Sequence, residues 1–196
     1  VRHPGMGRAV RRAHSRGRSI LMQFQDTNLS GAWIISLNEL TDERGFFARS
    51  FCQEEFKNHG LNSTVAQCNI SYNAKCGTLR GMHFNASPNE EAKLVRCTAG
   101  AIYDVIIDIR PGSPSYGETF AIELNARNRK MLFVPKGCAH GFQTLTDNTE
   151  VFYQMSAVYK PGAARGIRWN DPAFAIDWPI ADPILSDRDL SYLDWA

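Results

Sequence analysis

Leu94-Val95-Arg96-Cys97-Thr98-Ala99-Gly100-Ala101-Ile102-Tyr103-Asp104-Val105-Ile106-Ile107-Asp108-Ile109 is the stretch from which the fold can be read. Leu94–Thr98 and Ile102–Ile109 are two strand-forming runs joined across Ala99-Gly100, which marks a hairpin. Successive side chains of a strand point to opposite faces. One face of the second run therefore carries Tyr103, Val105, Ile107 and Ile109 and asks for a core. The other carries Ile102, Asp104, Ile106 and Asp108. Aliphatics mixed with carboxylates suit the inner wall of a polar-lined barrel. A solvent face with two ordinary aspartates is the competing reading.

Outward from this hairpin the chain reads as strand after strand. Ala66–Ser71, Thr78–Phe84, Thr119–Leu124, Met131–Val134, Ala139–Leu145 and Glu150–Val158 are β-rich. The turns between them hold Gly, Pro, Asn or Asp, at Asn73–Gly77, Asn85–Glu91, Asn125–Lys130, Pro135–Gly137 and Asp147-Asn148. Upstream, Trp33–Leu37 predicts a first strand, Thr41–Gly45 a turn, and Phe46–Phe51 is apolar again. Gln53–His59 predicts one short helix closed by Gly60, with His59 as a structural residue at its end. Pro161–Gly166 reads as a loop and Ser186–Leu193 as a short helix. About eight short strands at close spacing predict an all-β fold, an antiparallel sandwich or barrel with a few short helices. Strands and long helices do not alternate, which excludes a doubly wound nucleotide-binding domain.

The chain has 196 residues, enough for one domain with a real core. Its 43% apolar and 21% charged residues fit a globular protein. No apolar run approaches the ~20 residues of a membrane span, so no membrane partner is expected. The net charge of +2 conceals an asymmetry. Residues 1–21 hold six Arg and no acidic residue, and the remaining 175 carry 16 basic against 20 acidic residues, a net of −4. The body is acidic, so no nucleic-acid partner is expected. Residues 1–21 are read as a disordered arm or a translation artefact upstream of Met22, and 22–196 as a single domain. Cys52, Cys68, Cys76, Cys97 and Cys138 are odd in number and include no C-x-x-C pair. That speaks against a disulfide framework or thiolate zinc site and for a reduced, cytoplasmic setting.

Two histidines outside the arm are candidates for chemistry. His83 and His140 lie in Arg80-Gly81-Met82-His83-Phe84 and Ala139-His140-Gly141-Phe142. Either alone reads more simply as a buried structural histidine. Two separated histidines with no third ligand at suitable spacing make a weak metal site, so no metal is expected. G-x-S-x-G and Gly-rich phosphate loops are absent. Proton transfer and anion binding are what these residue types leave. His83 is the candidate base, Tyr153 the acid, and Lys93 or Arg80 an electrostatic clamp.

The motifs then converge. Asp42-Glu43-Arg44-Gly45-Phe46-Phe47, Gln67–Asn69, Gly77-Thr78-Leu79-Arg80-Gly81-Met82-His83-Phe84 and Lys93-Leu94-Val95-Arg96-Cys97 come in that order. Tyr103-Asp104-Val105, Val134-Pro135-Lys136-Gly137, Ala139-His140-Gly141-Phe142, Gly166-Ile167-Arg168-Trp169-Asn170-Asp171-Pro172 and Leu185–Asp189 follow. Together the chain closely resembles the dTDP-4-dehydrorhamnose 3,5-epimerase family from about residue 30 to 190. The resemblance implies a cupin-type antiparallel jelly-roll barrel, a homodimer, and no metal or organic cofactor. It also implies a nucleotide-diphospho-4-keto-6-deoxysugar substrate, epimerised at C3, C5 or both. Carried over by motif, His83 matches the base, Asp189 its paired carboxylate, Tyr153 the acid, and Lys93 a cation for the enolate or a phosphate. Arg44, Gln67, Asn69, Arg80, His140 and Arg188 match substrate-binding positions. Tyr159 matches an aromatic stacked on the nucleotide base, and Asp104 an inner-wall carboxylate. Without the resemblance Asp189 reads as a helix cap (Ser186-x-x-Asp189) and Tyr153 as a strand aromatic.

Four positions depart from the family pattern. Arg49 and Ala164 stand where substrate-contacting Glu residues are usual, Asn85 replaces a common Gln, and Cys68 replaces an acidic residue. Arg49 is kept as a substrate-shell candidate of changed sign. These departures predict altered nucleotide or sugar preference with the proton-transfer set intact. Competing readings are a non-catalytic sugar-nucleotide-binding cupin, a 3,4-ketoisomerase and a metal-dependent cupin enzyme.

Overall fold

A computed structural model describes residues 19–195; the arginines of the arm and Ala196 lie outside the described residues. Two antiparallel sheets face each other. The larger holds β1 (Gln23–Asp26), β2 (Trp33–Ser36), β5 (Gln67–Asn73), β7 (Lys93–Ala99), β10 (Met131–Val134) and β12 (Thr149–Met155), in the order β1-β2-β10-β7-β12-β5. The smaller holds β6 (Leu79–Asn85), β8 (Ala101–Asp108), β9 (Thr119–Asn125), β11 (Cys138–Thr144) and β13 (Ala164–Gly166), in the order β13-β6-β11-β8-β9. A separate hairpin, β3 (Leu40–Asp42) and β4 (Gly45–Phe47), stands apart from both. This double-sheet jelly roll is the all-β architecture expected.

The β8 strand shows why the sheets stack. Ile102 and Ile106 pack with Val95, Cys97, Leu124, Leu132, Phe142 and Val151 in the core between the sheets. Val105, Ile107 and Ile109 face the other way, against Leu79, Met82, Ile167, Phe174 and Trp178. The C-terminal segment thus covers the outer face of the smaller sheet. Asp104 and Asp108 are fully buried on the inner side, so the inner-wall reading holds and the solvent-face reading fails. Each fully buried aliphatic side chain contributes about 1.5–3 kcal/mol, and β8 buries four such residues, Ile102, Val105, Ile106 and Ile107, on two faces.

The one helix of the first half, α1 (Gln53–Asn58), buries Phe56 against Ile35, Leu94, Met131 and Phe133 on the outer face of the larger sheet. Gly60, at φ +70°, turns the chain out of it. His59 donates from Nδ1 to the Glu55 carbonyl at 2.8 Å and stacks on Phe24, so its structural reading holds.

Five segments differ from expectation. Gln23–Asp26 adds an edge strand, and the Phe46–Phe51 run contributes only β4. The Pro161–Gly166 loop contains β13, three residues paired to β6 and too short to show a period. The strand over Glu150–Val158 ends at Met155, where Ser156 exchanges hydrogen bonds with Ala92. The C-terminal helix, α2, covers only Asp187–Leu190.

Candidate active site

His83 of β6 lies directly opposite His140 of β11, so the two side chains share a face. That face is the interior. Between this pair and the next, Arg80 opposite Phe142, β6 carries one residue more than β11. This bulge turns Arg80 and His83 to the same side, although strict alternation would separate them. Two glycines permit it. A Cβ on Gly81 (φ +143°) would lie 2.6 Å from the Gly141 Cα, and one on Gly141 would lie 2.6 Å from the Met82 sulfur.

Arg80, His83, His140 and Phe142 of the smaller sheet and Lys93, Tyr153 and Met155 of the larger enclose a cavity of about 210 Å³. His83 Nε2 is 2.5 Å from Asp189 Oδ1. An ionised carboxylate only accepts, so Nε2–H donates and Nδ1 keeps its lone pair. His140 Nε2 donates likewise to Asp104 Oδ1 at 2.8 Å. Arg80 Nε donates to Asn73 Oδ1 at 2.7 Å. Gln67 and Asn69 of β5 stand opposite Met155 and Tyr153 and share their inward face. Gln67 Oε1 accepts the backbone N–H of Tyr159 at 2.7 Å, which ties the exposed Tyr159 to this wall. Arg188 donates from Nε to the Tyr192 hydroxyl, and the Tyr192 ring stands edge-on to His83.

Two candidates lie elsewhere in the single chain. Arg44 sits on the exposed β3–β4 hairpin, paired with Asp42. The Arg49 guanidinium is engaged by Glu55 at 2.6 Å; the other Glu55 oxygen accepts the Met22 N–H. A second cavity of about 600 Å³, with Phe84, Arg110, Tyr116, Lys136 and Trp195 in its wall, contains none of the candidates. Among the described residues no three His, Cys, Asp or Glu side chains gather as a metal site, and no helix is long and apolar enough to cross a membrane.

The model of the dTDP-4-dehydrorhamnose 3,5-epimerase family matches residues 26–196. The chain belongs to that family. An epimerase of this name from Sinorhizobium fredii is 40% identical over 171 residues, covering 87% of this chain and 88% of the relative. The crystal structure of the Bacillus anthracis dTDP-4-dehydrorhamnose 3,5-epimerase, with TDP and pyrophosphate bound, superposes with a TM-score of 0.86 at 39% identity, covering 89% of this chain and all of that one. ChmJ, a 3′-monoepimerase from Streptomyces bikiniensis in complex with dTDP-quinovose, superposes with a TM-score of 0.80 at 31% identity, covering 86% of this chain and 85% of that one. This chain is accordingly an isomerase-class enzyme on a cupin-type jelly roll.

Two residues beside the candidate site escaped the sequence reading. Tyr192 lies beyond the last recognised motif, and Gly166 admits it: a Cβ there would fall 2.2 Å from the Tyr192 ring. Glu91 places Oε1 3.5 Å from Lys93 Nζ. Burial pulls the Lys93 amine below its ordinary value, and Glu91, then Asp104, partly restore it. Burial pushes the Glu91 carboxyl up, opposed by Lys93 and by His140. The available signal was alternation, since Glu91 stands two residues before Lys93 in an extended segment.

Proposed function

We propose that this protein epimerises a dTDP-4-keto-6-deoxysugar at C3, C5 or both, by proton transfer through an enolate, in deoxysugar biosynthesis. The carrying observation is that a carboxylate-paired histidine and a tyrosine line one cavity from opposite sheets. Epimerisation needs that layout. The C4 ketone acidifies the hydrogens on C3 and C5. The free Nδ1 of His83 takes one of them, and the electron pair moves onto the C4 oxygen. Asp189 stabilises the imidazolium. Lys93 and Arg80 supply positive charge for the enolate or the diphosphate. The Tyr153 hydroxyl then protonates the same carbon from the opposite face, which inverts it. The imidazolium returns the proton through solvent to the tyrosinate, so the cycle closes without an oxidant or reductant. Gln67, Asn69, His140 and Arg188 form the substrate shell, with Tyr159 at the cavity's edge for the base.

A homodimer fits the surface. The edge strand β5 turns Cys68, Ile70 and Tyr72 outward, and the β3–β4 hairpin exposes Phe46 and Phe47. A second copy that covers these apolar side chains gives Arg44 a route to the neighbouring cavity. The five free thiols suit a reducing, cytoplasmic setting.

The test is proton NMR of dTDP-4-keto-6-deoxyglucose with catalytic enzyme in deuterium oxide. Enzyme-dependent deuterium at C3, C5 or both supports the reading and counts the carbons touched. A ketosugar that binds without exchange points to a binding protein, and a 3,4-ketone shift points to a ketoisomerase.

A further inference from the structure

Glu91 keeps its carboxylate largely out of solvent. It precedes β7 in an extended segment whose alternation sends Ala92 outward, into the cluster around Phe56 and Phe133. Glu91 and Lys93 therefore turn the other way, and only 9% and 13% of their side chains meet solvent. Lys93 lies in β7 between Val134 of β10 and Met155 of β12, so its strand position is held from both sides. The groups that face it are Tyr153 from β12, Arg80 and His83 from β6, Asp104 from β8 and His140 from β11. Two of the carboxylates nearby are committed: Asp189 to His83 and Asp104, through Oδ1, to His140. Glu91 is the acid in salt-bridge contact with Lys93.

We propose that Glu91 is a positioning residue that holds the Lys93 ammonium charged and aimed at the reacting oxygen. The proposal rests on the epimerase reading, in which Lys93 faces the enolate or a phosphate. An ammonium taken out of water beside two histidines and an arginine favours its neutral form. A carboxylate at 3.5 Å reverses part of that bias and restricts the side chain to one wall. A neutral amine at that place donates a weaker hydrogen bond and leaves the enolate charge uncompensated.

The sign is testable. Glu91→Gln keeps the shape and removes the charge, so Lys93 loses its proton at lower pH. Competitive acetylation of Lys93 with acetic anhydride across pH, read by peptide mass spectrometry, reports that midpoint without any substrate. The expected result is a midpoint lower by about one unit or more in Glu91→Gln, and a smaller shift in Glu91→Asp. The alkaline limb of the deuterium-exchange rate moves down in parallel, with the loss falling on kcat more than on KM. An unchanged Lys93 midpoint in a folded Glu91→Gln protein overturns the proposal. So does a melting temperature that falls while both pH profiles stay in place, which would make the pair a structural closure of the barrel end. If Glu91→Gln does not fold, Glu91→Asp carries the same comparison. Wild-type protein that exchanges no ketosugar refutes the epimerase reading, while the acetylation midpoints still decide the coupling of Glu91 to Lys93.

Discussion

Asp189 serves two ends through different atoms. Its backbone N–H donates to the Ser186 side chain, the helix cap that the Ser186-x-x-Asp189 pattern predicts. Its carboxylate leaves the helix and reaches His83. The cap and the contact with His83 therefore coexist on one residue, and a sequence pattern scores only the first. At this scale two substitutions test the proton-transfer roles. His83→Asn removes the base while keeping a polar side chain, and should reduce deuterium exchange by at least about 10²-fold with the melting temperature little changed. Tyr153→Phe should impair reprotonation more than exchange, so that washed-in deuterium accumulates in unconverted substrate. Wild-type product ratios from Tyr153→Phe would remove the tyrosine from the mechanism.

At the scale of elements, the bulge in β6 and the turn after β8 matter most. The bulge places Arg80 beside His83, and the facing glycines let β6 and β11 approach closely enough to carry it. At the end of β8, Asp108 accepts hydrogen bonds from Arg110, Ser113 and Ser115 of the following turn, with its carboxylate out of solvent. Burial alone would raise its pKa, but these donors win and hold it well below the usual carboxylate range. A depressed folded-state pKa stabilises the native state above the unfolded value of about 3.9 and loses that contribution as pH falls toward the folded one. Asp108→Asn should therefore cost about 3 kcal/mol near neutral pH. The difference from wild type should shrink below about pH 4, as read from urea unfolding at several pH values. A difference that does not vary with pH would show that packing, rather than charge, is what Asp108 supplies.

For the whole molecule, the question is what covers the outer face of β5. Ile70 and Tyr72 are 64% and 57% exposed on an edge strand. Long apolar edges invite pairing. Ile70→Asp alters a surface side chain of the single chain, so its effect on protomer stability should stay within about 0.5 kcal/mol. In a dimer the same change buries an unpaired carboxylate. Light scattering should then show wild type as a dimer and Ile70→Asp as a monomer, with exchange activity falling alongside assembly if Arg44 crosses to the neighbour. A monomeric wild type with full activity would end both ideas.

The amino-acid sequence by itself determined the fold class, because period-two alternation between Gly, Pro and Asn turns is a local property of strands. In the sixteen residues Leu94–Ile109 it offered an enclosed wall or a solvent face for a strand with carboxylates among aliphatics, and the burial of Asp104 and Asp108 decided for the wall. Through its ordered motifs it named the family and the proton-transfer candidates. Tertiary structure alone decided which of these meet. His83 and Asp189 are 106 residues apart, and their pairing depends on the C-terminal segment folding back over the smaller sheet. Arg80 and His83 share a face only because of a bulge, which breaks the alternation a sequence reading relies on. Arg49 pairs with Glu55 instead of entering the cavity, and only the folded chain shields the Glu91–Lys93 pair from solvent. Strand identity is written in neighbouring residues, whereas a site is a set of distances between distant ones, and burial sets the energy of each charge within it.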